Sequence, residues 1–265
     1  MRLGLTLPQF RHEAGPALAV ARQAEQAGLD GVFVFDHMWP LGQPERPALH
    51  GPTLAAALAA ATSRVVVGTL VARVGLIPDA VLVKSLATTA SVAGPGRFIA
   101  GLGTGDRANR EENLAYGVPF APAAERLASL AWCLRALRDQ GVTTWAGGLS
   151  SALVEVAARE ADAWNGWGIG LDRFTALARG LPAGVEATWA GQVLVGRDRA
   201  EAEAKRERLG DRPGLVWGTP SDLADHLAAL AAAGATWAVC APLDVGADEA
   251  APDLVAQALE LSQGR

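Results

Sequence analysis

Residues Val142–Trp167 read VTTWAGGLSSALVEVAAREADAWNGW, and the order of elements within them indicates the fold class. It begins and ends with short apolar runs, Val142–Ala146 and Ala163–Trp167, whose composition favours β-strands. Between them, Ser150–Ala161 has the length and spacing of a helix and follows a Gly-Gly turn. Two neighbouring strands joined through one helix are expected to run parallel. The stretch therefore predicts one β-α-β unit of a parallel sheet.

The same alternation of strand and helix extends along the whole chain. Each predicted strand is followed by a helix, and most helices begin at a proline or polar cap and end near a glycine. The strands are continuous apolar runs, so both faces of the sheet are expected to be covered. An irregular connection is expected over Gly103–Pro119, within which Asn109–Tyr116 fits a loop or a helix. The six other strands are predicted at Arg2–Leu7, Val32–Phe35, Val65–Val71, Phe98–Gly101, Thr188–Val195 and Trp237–Cys240.

Eight β-α units in about 250 residues is the size of a (β/α)8 TIM barrel. An open, doubly wound sheet is the alternative, but it usually has fewer strands and often a glycine-rich turn after the first strand. The first strand here leads into Pro8-Gln9-Phe10, without such a turn. No linker divides the chain, so the sequence predicts a single α/β domain over residues 1–265, built as a TIM barrel.

Composition excludes several classes of protein. Half of the 265 residues are hydrophobic and the formal charge is −5, which argues against disorder and against nucleic-acid binding as the main role. No apolar run of about 20 residues is present and no signal peptide is recognised, so we expect a cytoplasmic protein without a membrane partner. Cys133 and Cys240 form no metal motif and are expected to be buried as small hydrophobes, and no metal site is predicted.

Candidate catalytic residues are sought at the carboxyl ends of the strands, where TIM barrels carry their active sites. Asp36 and His37 follow the second predicted strand. Imidazole exchanges protons near neutral pH, and Asp36 could orient the ring or polarise a ligand. The alternative is a loop histidine and aspartate with only structural contacts.

Other strand ends carry glycines and tryptophans. Gly147-Gly148 precedes a helix N-terminus, which favours an anion such as phosphate, although such turns also occur without a ligand. The G-x-G-x-G spacing of Gly101–Gly105 lacks the next Rossmann glycine, because Asp106 stands there. Three tryptophans at strand ends could pack on a flat ring or belong to the core, namely Trp39, Trp164 and Trp167.

Six segments together resemble the luciferase-like monooxygenase superfamily, and within it the oxidoreductases that depend on the deazaflavin coenzyme F420. The segments are Leu3–Phe10, Ala24–Pro40, Arg64–Val71, Gly96–Gly105, Trp145–Gly168 and Gly218–Trp237. The resemblance implies a (β/α)8 barrel with the cofactor at its carboxyl-terminal mouth. It also implies that Asp36 contacts the deazaflavin ring and that His37 donates or accepts the proton.

The resemblance implies the remaining features of the cofactor site as well. A non-prolyl cis peptide is expected around Leu70-Val71-Ala72, and the Gly101–Glu112 loop would line the cofactor. Gly147, Gly148 and Ser150 would hold its phosphate. The family often has a long insertion before the fifth strand, whereas Arg138–Gly141 leads almost directly into it here, so the insertion region is shortened. The implied cofactor-binding residues are Asp36, Thr69, Val71, Gly103, Thr104, Glu112, Gly147, Gly148, Ser150 and Trp164.

The expected function is hydride transfer between F420 and a small organic substrate, with His37 moving the coupled proton. One alternative is an FMN-dependent luciferase-like monooxygenase with the same fold. Another is a protein that binds a flavin without catalysis or serves as a scaffold. The oligomeric state common in the resembled family, together with the apolar composition, predicts a homodimer.

Overall fold

A computed structural model describes residues 1–263 as alternating strands and helices. The predicted domain continues to Arg265, and residues 264 and 265 lie outside the described part. The strands are β1 (Arg2–Thr6), β2 (Gly31–Val34), β3 (Val66–Thr69), β4 (Ala72–Arg73), β5 (Phe98–Gly103), β6 (Thr143–Gly147), β7 (Ala163–Trp167), β8 (Glu186–Val195), β9 (Val216–Gly218) and β10 (Ala235–Pro242). The helices are α1 (Gly15–Gln26), α2 (Gly51–Ala61), α3 (Asp79–Ala93), α4 (Asn109–Ala115), α5 (Ala123–Arg138), α6 (Ser151–Glu160), α7 (Leu171–Ala178), α8 (Arg199–Leu209), α9 (Pro220–Ala232) and α10 (Ala251–Gln263).

Eight of these strands close into a parallel barrel in the order β1-β2-β3-β5-β6-β7-β8-β10. The barrel is closed because β10 pairs with β8 on one side and with β1 on the other, where Leu3 lies opposite Ala238. The predicted (β/α)8 barrel is therefore confirmed. The open, doubly wound alternative is wrong, since it would leave β1 or β10 with an unpaired edge.

Two short strands, β4 and β9, were not predicted, and helix α4 forms in a segment that fits a loop or a helix. The predicted strand Val65–Val71 is divided, because the chain passes through a cis peptide at Leu70–Val71 before β4 pairs with β5. The cis peptide itself was expected from the family resemblance. Helix α4 occupies part of the connection predicted as irregular, and β9 pairs with the end of β8. Elements of two or three residues are too short to show a hydrophobic period, so the sequence alone does not predict them.

The interior of the barrel is filled by three aromatic rings. Phe33 stacks on Trp145 with ring centroids 5.3 Å apart, and Trp237 meets both rings edge-on at 5.7 Å. A larger apolar layer lies between the barrel and its helices. Cys133 and Cys240 are fully buried there, as predicted, and burial raises the pKa of each thiol to about 12.

The connection before β6 is short, as expected for a reduced insertion region: α5 ends at Arg138 and β6 begins at Thr143. Two open clefts lie beside this connection, at the amino-terminal ends of β5 to β7 and thus opposite the mouth. Within residues 1–263, none of the helices has the length and apolar character needed to cross a bilayer.

Candidate active site

Asp36 lies at the carboxyl end of β2, buried at the base of the mouth. Its Oδ2 accepts a hydrogen bond of 2.8 Å from the backbone N–H of Arg73, the last residue of β4. Its Oδ1 is buried and has no partner among the described residues. Burial raises the pKa of the Asp36 carboxyl, against the lowering effect of that backbone hydrogen bond. Asp36 therefore offers an acceptor that a ligand could use.

His37 faces the mouth and is held by Glu112 of α4. Its Nδ1 lies 3.0 Å from Glu112 Oε1, and its side chain is 24% exposed whereas that of Glu112 is fully buried. An ionised carboxylate only accepts hydrogen bonds, so we assign the proton of a neutral His37 to Nδ1. This leaves Nε2 as the ring nitrogen available to exchange a proton with a bound molecule.

Arg73 holds the second oxygen of the same carboxylate. Its Nη1 lies 2.8 Å from Glu112 Oε2, and the Arg73 side chain is itself buried. Burial alone would raise the pKa of Glu112, but the hydrogen bonds and charges of His37 and Arg73 together hold this pKa below its usual range. Glu112 is therefore ionised at neutral pH. The amide of Asn109, one turn earlier on α4, lies 3.3 Å from His37 Nδ1.

The cis peptide places Val71 at the floor of the mouth, packed on the aromatic interior. A Cβ at position 103 would lie 2.5 Å from Val71 Cγ2, so only glycine permits this close approach. Thr104 is half-buried, and its carbonyl accepts a hydrogen bond of 2.9 Å from Arg126 Nε. Val71, Gly103 and Thr104 are therefore packed together at the carboxyl ends of β4 and β5.

The proposed phosphate-binding turn lies at the end of β6. Gly148 has a φ of +152°, which residues with a side chain rarely adopt, and its N–H donates to the Asn165 carbonyl at 3.2 Å. Ser150 is exposed and caps α6, its Oγ accepting from the N–H of Leu153 at 3.3 Å. The exposed N-terminus of a ten-residue helix suits an anion.

Three of the implied cofactor contacts lie behind the lining of the mouth. Thr69, Glu112 and Trp164 are fully buried. The Thr69 hydroxyl donates to the Gly101 carbonyl at 2.7 Å, and Trp164 Nε1 donates to the Gly148 carbonyl at 2.8 Å. In this structure they support the mouth, and their direct contact with a cofactor stays a prediction.

Aromatic rings border the rest of the mouth. Trp167 meets Phe35 edge-on at 5.4 Å, and Phe10 stacks on Phe35 at 6.1 Å. Trp39 stacks on Tyr116 at 6.3 Å on the rim. Sequence reasoning named Trp39 and Trp167 but missed Phe10 and Phe35, although both follow strand ends.

Arg73 and Asn109 were not named as site residues, although Asn109 lies in the Gly101–Glu112 loop that was expected to line the cofactor. Nothing in the local sequence indicated their contacts, because the division of the third predicted strand and helix α4 bring them to the site.

The residues present fit a flat, polar ring with a phosphate on its tail. Asp36 Oδ1 is an acceptor without a partner at the base, and the α6 N-terminus is exposed and suits an anion. Within residues 1–263, no group of three His, Cys, Asp or Glu side chains is arranged to hold a metal ion. A histidine–carboxylate pair at the mouth of a TIM barrel is typical of proteins that bind a ligand or catalyse a reaction at that end of the barrel.

The chain belongs to the family of luciferase-like monooxygenases. The sequence profile of that family matches residues 1–147, more than half of the chain. The resemblance inferred from six strand-end segments is therefore confirmed at the level of the family.

Known proteins similar to this chain include F420-dependent enzymes. An F420-dependent glucose-6-phosphate dehydrogenase of Kineococcus radiotolerans is 34% identical over 140 residues, which is 52% of this chain and 40% of that relative. The chain thus matches about two-fifths of the length of this curated relative.

Solved structures share the fold over nearly the whole chain. An F420-dependent secondary alcohol dehydrogenase, in complex with an F420-acetone adduct, superimposes with a TM-score of 0.79 at 16% identity, covering 98% of both chains. A monooxygenase from Streptomyces bottropensis gives a TM-score of 0.75 at 16% identity, covering 98% of this chain and 99% of that one. At these identities the likeness shows the barrel and its connections, not the reaction.

Proposed function

We propose that this protein is an oxidoreductase that transfers a hydride between coenzyme F420 and a carbinol or carbonyl carbon of a small organic substrate. The observation that carries the proposal is the His37–Glu112 pair, which leaves Nε2 of a partly exposed histidine at the mouth of the barrel. The F420-dependent relatives, of which this chain matches only a part, support the choice of cofactor.

When bound, the deazaflavin supplies a two-electron hydride acceptor or donor. In the oxidative direction His37 Nε2 accepts the hydroxyl proton of the substrate as the carbinol carbon loses its hydride. Glu112 Oε1 holds Nδ1 and compensates the positive charge that develops on the ring. In the reductive direction the same nitrogen returns the proton to the carbonyl oxygen.

Separate parts of the mouth would position the cofactor and the substrate. Asp36 Oδ1 would accept a hydrogen bond from the ring, and Gly147, Gly148 and Ser150 with the α6 N-terminus would hold the phosphate. Phe35 follows β2, and Phe10 and Trp167 pack on its ring, which adds apolar surface to the mouth. Holding the two reacting carbons about 3–3.5 Å apart is the main contribution such a site makes.

An FMN-dependent monooxygenase remains the second candidate, because the fold is shared with a monooxygenase structure. A non-catalytic scaffold is less consistent with the buried ion pairs around His37, since these are costly unless they serve a function. A homodimer and a cytoplasmic location stay predictions from the sequence.

The test begins with the purified protein as expressed in a host that makes F420. The mass and absorption spectrum of any co-purifying chromophore are recorded, and the protein is then titrated with F420 and with FMN. We expect F420 to bind at least about tenfold more tightly and to be reduced anaerobically by a secondary alcohol. Tighter binding of FMN, or binding of neither cofactor, would overturn the proposal.

A further inference from the structure

We infer that Arg73 is a positioning residue, which keeps Glu112 ionised and thereby holds His37 in the tautomer that reacts through Nε2. The inference deepens the proposed function, because it rests on the proton-transfer role of His37. Arg73 belongs to the two-residue strand β4 that follows the cis peptide and was not among the site residues expected from the sequence.

The geometry of Glu112 carries the inference. Each of its oxygens is bound by a different basic side chain, Oε1 by His37 Nδ1 at 3.0 Å and Oε2 by Arg73 Nη1 at 2.8 Å. The carboxylate is fully buried, so water does not replace either partner. Because Arg73 already balances its charge, Glu112 does not depend on a positive charge on His37 to stay ionised. Without Arg73, the imidazolium form of His37 would be the only counter-charge in direct contact.

A purely structural role does not account for this arginine. Its Nη1 makes one short bond to Glu112 and a long one, 3.4 Å, to the Asn109 carbonyl. Its Nε and Nη2 are buried without an acceptor among the described residues. A buried guanidinium with so few partners contributes little to the stability of the fold. An apolar side chain of similar size often stabilises a protein more. What Arg73 contributes is its charge beside Glu112.

Several ionisable groups lie near Glu112, and a test must separate their effects on its pKa from the effect of Arg73. Arg73 approaches Glu112 from β4, and His37 approaches it from the loop after β2. Asp36, in the same loop, accepts the backbone N–H of Arg73, and the charge of His50 acts on Asp36. Asp106 binds backbone N–H groups at the start of α4. An Asp36→Asn variant therefore accompanies the Arg73 variants.

The first experiment needs neither cofactor nor substrate. The chain is labelled with ¹³C at glutamate side-chain carboxyls, and the Glu112 signal is assigned by its loss in Glu112→Gln. In Arg73→Met we expect the titration midpoint of Glu112 to rise by about one pH unit or more, and in Arg73→Lys to stay near that of the unaltered protein. Arg73→Gln gives the same comparison if the methionine variant does not fold.

The matched control is Arg135→Met, which breaks the exposed Arg135–Glu160 pair at the opposite end of the barrel. It is expected to leave the Glu112 signal unchanged. A Glu112 midpoint in Arg73→Met or Arg73→Gln that equals that of the unaltered protein overturns the inference. Asp36→Asn removes a neighbouring carboxylate, so it is expected to lower the Glu112 midpoint or leave it unchanged.

The second experiment measures turnover across pH. We expect Arg73→Met to lower kcat about tenfold or more and to displace the pH profile, while KM and the Kd of the cofactor change less than about twofold. In a Glu112→Gln background the same substitution is expected to cause no further loss. If Arg73→Met lowers kcat by the same factor in the Glu112→Gln background as in the unaltered protein, the inference is overturned. If the unaltered protein does not turn over with F420, the proposed function fails, and the titration of Glu112 still decides the role of Arg73.

Discussion

Nδ1 of His37 lies 3.0 Å from Oε1 of Glu112, which joins the loop after β2 to the short helix α4 across the mouth of the barrel. The bond fixes the imidazole by one nitrogen and leaves the other to face the mouth. A histidine arranged in this way has the geometry of a general acid or base. The relationship gives the first prediction.

Replacing His37 with alanine is expected to lower kcat about 10²- to 10⁴-fold, the contribution that a positioned acid or base usually makes. The Kd of F420 should change little, since the cofactor contacts proposed here lie on Asp36, Val71, Gly103 and the α6 N-terminus. Anaerobic reduction of F420 measures kcat, and fluorescence titration measures Kd. His12→Ala, in an exposed loop, is the control. Unchanged turnover in His37→Ala would remove this residue from the mechanism.

The strands of the barrel were predictable from sequence because each is an apolar run long enough to stand out from its neighbours. Phe98–Gly103, for example, is buried along its whole length. The ends of such runs also located Asp36 and His37, since parallel strands bring their carboxyl ends together. The same reasoning explains why Gly147 and Gly148 were expected at the mouth.

The partners of these residues were not predictable in the same way. Arg73 reaches Glu112 from the short strand β4, which begins after the cis peptide at Leu70–Val71 and pairs with β5. Glu112 faces His37 because α4 forms within a segment whose sequence fits a loop equally well. Contacts between distant segments depend on such local bends, which leave no periodic pattern in the sequence.

The aromatic interior of the barrel gives a prediction on stability. A Cβ at position 68 would lie 2.4 Å from Phe33 Cε1, and Phe33 is held between Trp145 and Trp237. Gly68→Ala is therefore expected to lower the free energy of unfolding by about 1–3 kcal/mol through overpacking. Urea unfolding followed by tryptophan fluorescence measures the change. Gly15→Ala, with no atom within 4 Å of the added carbon, is the control. Equal stability of Gly68→Ala and the unaltered protein would show that the ring moves aside freely.

A buried ion cluster outside the mouth gives a prediction on pH dependence. Lys205 Nζ lies 2.8 Å from Asp244 Oδ2 and 2.6 Å from Asp248 Oδ2, and donates to the Val195 carbonyl at 2.7 Å. Burial lowers the pKa of Lys205, but the two carboxylates more than offset this and the pKa is raised. For Asp248 burial raises the pKa, and the bond from Lys205 outweighs it, so the pKa is lowered.

Both shifts favour the folded state at neutral pH. The raised pKa of Lys205 adds stability that is complete below its unfolded value, about 10.4, and is lost as pH rises through the folded value. The lowered pKa of Asp248 adds stability that is complete above about 3.9 and is lost as pH falls through the folded value. Lys205→Met should therefore lower the free energy of unfolding by about 3–5 kcal/mol at pH 7, because the two aspartates remain without their cation.

Urea unfolding at several pH values tests this expectation. The difference between Lys205→Met and the unaltered protein should shrink below about pH 4, as Asp248 becomes protonated. Lys84, the other lysine of the chain, is exposed on α3, and Lys84→Met should change stability by less than about 0.5 kcal/mol. A difference that stays constant from neutral to acidic pH would argue that Lys205 acts through packing and not through its charge.

The turn before α6 gives the last prediction, which concerns the phosphate of the cofactor. Ser150 lies at the exposed N-terminus of α6, where its hydroxyl and the free N–H groups of the first turn are placed to bind an anion. Ser150→Ala should weaken F420 binding about tenfold, since a hydrogen bond to a charged group is lost. The affinity for the phosphate-free deazaflavin core should not change. Fluorescence titration of both compounds measures the difference. Asp198→Ala removes the equivalent cap of α8, whose Oδ1 accepts from the N–H of Glu201 at 2.8 Å, and should leave both affinities unaltered. If Ser150→Ala weakens the binding of F420 and of the phosphate-free core equally, the phosphate does not lie at this helix. The tail of the cofactor must then follow a different wall of the mouth.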